Sequence, residues 1–399
     1  MSTSRPSFAG ATAIAGVGES EYSRRSDPSV TDLSLAVDAA IAAIADAGLT
    51  TSEVDGVVAP YMGPDTEELI VNLGLSGVTY SSQIRLGGAS PVAAVGYAAA
   101  AVAAGQAEVV IVPVGWAGYS GQKARDLASV DLSTPYRRAV HERYAPNGAT
   151  SPMQVYAQMA RRHMYEFGTS VEALGRIAVN TRANALLHPK AVMSKPMTLD
   201  DYLNSKLIVD PYRLFDCCLD TDAGAAVVVT SLERAKALAA RHGRTSVVID
   251  GCAEARPTDP TDMFNRSDFF EIGLTRAAPR AWEMAGLGPE DMSFAQVYDC
   301  FTFEVLQQLE EAGFCGRGEA DAFVLGGATD RGGHVPVNTH GGLLSQAHAL
   351  GMNHVVEAVV QLRGEAEARQ VDSARHGAVT GWGDLGDGSL LVLSGTESR

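Results

Sequence analysis

Cysteine is scarce: 5 of the 399 residues, none in a CxxC or CxxH spacing. An odd count without ligand spacing speaks against a zinc site or a disulfide framework and fits a reducing, cytoplasmic location. Long apolar runs are missing too. A bilayer span needs about 20 apolar residues, and the most apolar stretch, Pro91 to Pro113, is interrupted by Gln106 and Glu108. The N-terminus, MSTSRPSFAG, lacks the basic-then-apolar-then-small order of a signal peptide. Positive charge is in short supply: 31 Lys and Arg against 47 Asp and Glu give a net charge of −16. Such a chain repels phosphate backbones, which excludes nucleic acid as a partner. No GxxxxGK[ST] and no GxSxG occurs, and the one GxGxxG, Gly381 to Gly386, precedes a strand instead of opening a helix. Nucleotide, nicotinamide and nucleophile-elbow chemistry therefore lack support.

What the sequence has is hydrophobic order. Hydrophobic residues make up 46% and glycine alone counts 41, ample for a sizeable core. Thr12 to Gly18 reads as a buried strand. Thr31-Asp32 opens a helix with Leu33, Val37, Ile41 and Ile44 near helical spacing, and Gly48 ends it. Val54 to Val58 reads as a strand, Val92 to Ala104 as a helix stopped by Gly105, and Val109 to Val114 as an all-apolar strand. Runs of that kind suit a parallel sheet covered on both faces. Residues 118–215 carry more Arg, Met, Tyr and His and read as an insertion with helices at Val155–Phe167 and Val171–Leu186. Strand character returns at Ala223–Thr230 and a helix at Leu232–Arg241.

The second part restarts the first. Ala39, Ala40, Ala43, Ala47, Gly48 and Leu49 recur as Ala277, Ala278, Ala281, Ala285, Gly286 and Leu287 at one constant offset, and a strand follows each. This implies an internal duplication: residues 1–245 with the insertion, and residues 246–399.

Four strand-end segments are candidate ligand sites, since duplicated α/β folds bind there. Leu86-Gly87-Gly88-Ala89-Ser90 opens the Ala-rich helix, where backbone N–H groups can hold an oxyanion; tight packing is the competing explanation. Tyr298-Asp299-Cys300 follows a strand, with Tyr298 a candidate acid/base and Cys300 a candidate nucleophile or a buried structural thiol. Asn338-Thr339-His340-Gly341-Gly342 to His348 carries two histidines able to donate to a carbonyl or move a proton. Their spacing is not the i, i+4 of a helical metal site, and no metal is expected. Thr380-Gly381-Trp382-Gly383-Asp384 allows close backbone approach, or is a plain turn.

The strings LGGASPVAAV, PYRLFDCCLDTDAGAAVVV, VYDCFTFEVLQQLEEAGFC and NTHGGLLSQAHALG together resemble the thiolases, within them the sterol-carrier-protein and lipid-transfer type. The resemblance spans nearly the whole chain. It implies an α/β duplicated thiolase fold, a five-layered αβαβα body with an inserted loop domain, usually dimeric. Departures from the thiolase pattern are telling. The nucleophilic cysteine position is Gly88, and the second cysteine position reads Val379-Thr380-Gly381, while the histidine survives as His348. No acyl-enzyme forms by the usual route. The pattern resembles thiolase-like aldolases that shorten steroid side chains by retro-aldol cleavage of a β-hydroxyacyl-CoA. Tyr298 matches a catalytic tyrosine of that group, and His348 stands where a second tyrosine is expected.

The resemblance thus implies Tyr298, His348 and His340 as catalytic groups, and Gly88, Gly381 and Gly383 around the enolate oxygen. Ser90, Cys300, Asn338 and Trp382 are the expected substrate contacts. No cofactor is implied beyond coenzyme A as part of the substrate, and a small OB-fold and zinc-ribbon partner protein is. Arg161, Arg162, Arg176 and Arg182 are candidates for the CoA phosphates. Two alternatives stand beside this: acyl transfer through Cys300 or Ser90, and a non-catalytic acyl-CoA carrier.

Overall fold

The computed structural model describes residues 8–60, 62–121 and 135–396. Residues 122–134 of the expected insertion and the first seven residues lie outside it. In chain order, β1 (Thr12–Glu19), α1 (Asp32–Asp46), β2 (Gly56–Pro60), α2 (Thr66–Asn72), β3 (Tyr80–Ile84), α3 (Ser90–Ala103) and β4 (Val109–Ala117) come first. Then follow α4 (Pro135–Ala139), α5 (Pro152–Phe167), α6 (Val171–Ala185), α7 (Leu199–Leu203) and the hairpin β5 (Leu207–Val209) and β6 (Tyr212–Arg213). The chain continues with β7 (Asp222–Ser231), α8 (Leu232–Arg241), β8 (Val247–Ala255), α9 (Gly273–Ala285), β9 (Phe294–Gln296) and α10 (Thr302–Glu311). It ends with α11 (Ala320–Leu325), α12 (Met352–Arg363), β10 (His376–Gly383) and β11 (Asp387–Gly395).

Local chemistry sets these boundaries. α1 starts in a capping box: Thr31 Oγ1 accepts from Ser34 N–H and Ser34 Oγ accepts from Thr31 N–H, both at 3.0 Å, a cap worth about 1 kcal/mol. α5 starts at Ser151 ahead of Pro152 and stops at Gly168, whose φ of +76° suits glycine.

Nine strands form one sheet in the order β3-β2-β4-β7-β1-β8-β11-β10-β9. Three residue pairs between β1 and β8, Thr12–Ile14 against Val247–Ile249, join the two sets of strands. The sheet folds back on itself there, because α3 touches β2, β4 and β7 on one side and β8, β10 and β11 on the other. Period-two alternation supplies both faces. Val58, Val110, Val112, Val227 and Val229 meet α3 and α12 in the middle layer with Leu391 and Leu393. Val57, Val109, Ile111, Ala226 and Val228 face α1 and α8. On the far side Ala378, Leu390 and Val392 face α9 and α10. Helix, sheet, helix, sheet, helix is the five-layered αβαβα body.

The sheet is mixed, which corrects the expectation of a parallel one. β4 runs parallel to β2 but antiparallel to β7, since the long segment between β4 and β7 returns the chain beside β4. The β-branched run reports cover on both faces, which this arrangement also supplies. A second correction concerns Thr380–Gly383. These residues lie inside β10, paired with Asp387–Leu390, and the turn proper begins at Asp384.

Candidate active site

Gly87-Gly88-Ala89 forms a 3-10 turn that runs straight into α3, the helix of the middle layer. Ser90, fully buried, accepts from Leu86 N–H at 2.8 Å. Its hydroxyl is committed to closing this turn and does not face a ligand. β10 packs its backbone against the same turn. A Cβ on Gly383 would overlap Leu86 O and Gly88 N, and one on Gly381 would stand 2.8 Å from Ala89 Cα. Gly381 and Gly383 are glycines because two backbones meet there, before any ligand is considered.

Tyr298 enters from the other side. A Cβ on Gly88 would lie inside 3.0 Å of Tyr298 Cζ and Oη and of Trp382 O, and one on Gly351 would stand 2.8 Å from Tyr298 Cδ2. The phenol thus fills the space where a side chain at position 88 would sit. Burial, reinforced by Cys300, Cys218, Asp299 and Asp384, pushes the phenol well above its ordinary range. Tyr298 is therefore a neutral hydroxyl.

Asn338 holds the peptide before it. Its Oδ1 accepts from Val297 N–H at 2.7 Å and its Nδ2 donates to Val297 O at 2.8 Å. With φ +50°, Asn338 takes a left-handed conformation that asparagine tolerates better than most residues. It is a clamp on the Tyr298 segment and not a substrate contact. Asp299 extends this framework, accepting from Leu343 N–H at 2.8 Å and contacting His354 Nε2 at 3.1 Å.

His348 follows the turn that Asp299 organises. Its backbone N–H donates to Thr221 Oγ1 at 2.7 Å, and Trp116 lies 6.0 Å away, ring to ring. Burial lowers the imidazole to about 4, so it is neutral near pH 7. Nδ1 accepts from Leu350 N–H over a long 3.4 Å, which leaves the proton on Nε2. No partner for Nε2 is found among the described residues.

The remaining candidates differ in what surrounds them. His340 is fully buried against His354, 4.7 Å between rings, and among the described residues both its ring nitrogens lack a hydrogen-bond partner. The Trp382 side chain turns away from Gly88 to the lid, donating to Gln307 Oε1 at 3.2 Å and packing edge-on to Tyr156 at 4.6 Å. Cys300 is buried, and burial pushes its thiol well up; it is no thiolate nucleophile. Each of the four arginines of the insertion has a protein partner. Arg161 pairs with Asp210 at 3.2 Å, Arg162 with Glu166 and Arg176 with Asp330. Arg182 is buried, donating to Ser345 Oγ at 3.0 Å.

Two carboxylates, Asp384 and Asp387, follow β10. Asp384, half-buried with φ +50°, is held by burial up to about 6. Asp387 pairs with Arg256 at 2.6 Å and is held, again by burial first, up to about 7. The only signal for Asp384 was an acid inside the glycine-rich GWGDLG string.

Comparison with known proteins accords with this geometry. Residues 255–395 match the thiolase C-terminal domain-like family. The chain is 37% identical to a 17-hydroxy-3-oxo-4-pregnene-20-carboxyl-CoA lyase of Mycobacterium tuberculosis, over 94% of this chain and 96% of that one. It is 40% identical to a steroid side-chain-cleaving aldolase of Thermomonospora curvata, over 89% and 91%. A solved Ltp2-ChsH2(DUF35) aldolase superposes with a TM-score of 0.89 at 37% identity, covering 98% of this chain and 99% of that one. With no thiolate at position 88 and a phenol in its place, the chain belongs to the thiolase superfamily, of the sterol-carrier and lipid-transfer type, beside its thiolase-like aldolases.

Proposed function

We propose that this protein is a thiolase-like carbon–carbon lyase. It cleaves a β-hydroxyacyl-CoA by a retro-aldol step to a ketone and a shorter acyl-CoA, with a steroid side chain as the substrate class. The observation that carries this is Tyr298 standing in the side-chain space of Gly88. A group that cannot form an acyl-enzyme replaces one that does. Tyr298 sits at the β-hydroxyl and passes its proton on. His348, neutral with its proton on Nε2, donates to the thioester oxygen as the enolate forms; one such donor contributes about 3–4 kcal/mol to the transition state. The enolate carbon then takes up a proton, and no covalent intermediate is needed.

The relatives' names support the substrate class, and the Ltp2-ChsH2(DUF35) neighbour supports a small partner protein. β3 is an edge strand, open for pairing with a second copy, which supports a homodimer. A cytoplasmic location and a division of the chain near residues 245/246 complete the proposal. The experiment is direct: incubate the protein, alone and with its partner, with 17-hydroxy-3-oxo-4-pregnene-20-carboxyl-CoA and follow ketone and shorter CoA ester. Tyr298→Phe should lower turnover by orders of magnitude with the fold intact. Near-normal turnover in that variant removes Tyr298 from the mechanism.

A further inference from the structure

Tyr298 raises a question about protons. A phenol held neutral cannot keep the β-hydroxyl proton unless its own proton leaves. Gly87 and Gly88 are consecutive, and each leaves a side-chain position vacant. Tyr298 Oη fills the second. The first is filled by Asp384: a Cβ on Gly87 would stand 2.6 Å from Asp384 Oδ1 and 2.6 Å from Asp384 N. The carboxyl and the phenol thus pack against consecutive residues of one turn at the N-terminus of α3, with Asp384 in the field of the phenol.

The placement of this carboxyl is specific. Asp384 takes a left-handed conformation, φ +50°, at the β10–β11 turn, and such strain in a non-glycine residue persists only where its surroundings hold it. Tyr156 of α5 supplies a hold from the lid, its hydroxyl donating to Asp384 O at 2.5 Å. The carboxylate oxygens themselves have no hydrogen-bond partner among the described residues. Most half-buried carboxylates are paired; this one is left for something that arrives.

We propose that Asp384 is the proton acceptor behind Tyr298, a positioning and relay residue for the cleavage. This rests on the aldolase reading above. The β-hydroxyl proton moves to Tyr298 Oη as the phenolic proton moves to the Asp384 carboxylate. The O–H electron pair becomes the ketone C=O, and the C–C pair becomes the thioester enolate. The proton then returns by the same path to the enolate carbon, so one proton is transferred overall, from oxygen to carbon, with no oxidant or co-reactant. The charges around Asp384 suit this exchange. Burial holds the carboxyl up to about 6, while Arg256 and Arg137 draw it down. Asp387, in the field of Asp384, is tied to Arg256. His348 lies lower, at about 4, and Asp387 higher, at about 7, so a limb near pH 6 is assigned to Asp384 by its loss in Asp384→Asn.

The test measures cleavage of 17-hydroxy-3-oxo-4-pregnene-20-carboxyl-CoA across pH 5–9 by the full chain with its partner. Asp384→Asn keeps a residue that tolerates the left-handed turn. It should lower kcat about 10²–10⁴-fold, leave KM within about threefold, and abolish the rise of kcat near pH 6. Asp384→Gly, which suits the turn and opens a space, should regain at least tenfold activity with formate. Activity of Asp384→Asn within threefold of wild type overturns the proposal. So does a loss that leaves the pH limb in place and that formate does not restore in Asp384→Gly. A wild-type protein that binds the CoA ester and cleaves nothing overturns the aldolase reading itself, a result distinct from both.

Discussion

Replacing Gly88 with alanine adds one methyl group where the Tyr298 phenol stands. That methyl would fall inside 3.0 Å of Tyr298 Cζ and Oη and of Trp382 O. Trp382 O belongs to a strand held in register by β11, so it cannot retreat. The phenol has to move. Overpacking of this kind costs about 1–3 kcal/mol. At about 2.1 cal/mol/K per residue, the unfolding entropy of 399 residues converts that to a fall in Tm of roughly 1–4 °C. The effect on turnover is larger, because a shift of about 1 Å at a reacting group costs about 10²-fold. The assay pairs steady-state ketone formation with thermal melting, on Gly88→Ala alone and combined with Tyr298→Phe. Adding Gly88→Ala to Tyr298→Phe should cost less than about threefold more, since both act on the same phenol. Gly88→Ala with wild-type turnover would show that the phenol does not occupy that space, and the mechanism built on it would fall.

Asn338→Ala removes both bonds to the Val297 peptide and should cost about 1–3 kcal/mol of stability, with lower kcat read from the same ketone assay. Asn338→Gly, relieved of the left-handed strain, should lose less stability; equal losses would mean that backbone strain contributes nothing. Glu304 is fully buried beside the Tyr212 hydroxyl at 3.0 Å and is held by burial up to about 8. Its folded value lies above its unfolded one, so its contribution to stability is full below about 4.5 and is lost as pH rises toward 8. Glu304→Gln should therefore raise Tm relative to wild type at pH 9 and much less at pH 5, and a pH-independent difference would contradict this.

Much of the fold was legible in local pattern. The helix at Leu232–Arg241 was placed to the residue, because Ser231 caps it by accepting from Arg234 N–H at 3.2 Å. The run at Val109–Val114 announced a strand covered on both faces but not its neighbours' directions, since periodicity carries no information about pairing. The site was legible in part. Tyr298 and Gly88 do meet at the α3 turn, while His348 packs against Thr221 and Trp116. Trp382 and Asn338 were assigned to the substrate because their residue types suit it, yet their side chains serve Gln307 and the Val297 peptide, partners far off in sequence. The partners of the insertion arginines were out of reach for the same reason: Asp210 and Asp330, which pair with Arg161 and Arg176, lie outside any local window. Asp384 was named only as the end of a glycine-rich segment, because an acid in such a turn looks solvated until Gly87 is packed beneath it.

The middle helix has a consequence for how the protein is made. α3 belongs to the first set of strands, yet its other side is covered by β8, β10 and β11, which come much later in the chain. Between the end of β7 at Ser231 and the end of β11 at Gly395 lie about 160 residues, which at about 5–20 residues per second take roughly 10–30 s to synthesise. Throughout that interval a helix apolar on all sides, with ten of its residues destined for burial, has one face bare to water. Only when β11 closes on β8 does that face disappear. A newborn chain therefore carries a sticky surface for many seconds, and its yield in a cell depends on what shields that surface as much as on the stability of the finished fold.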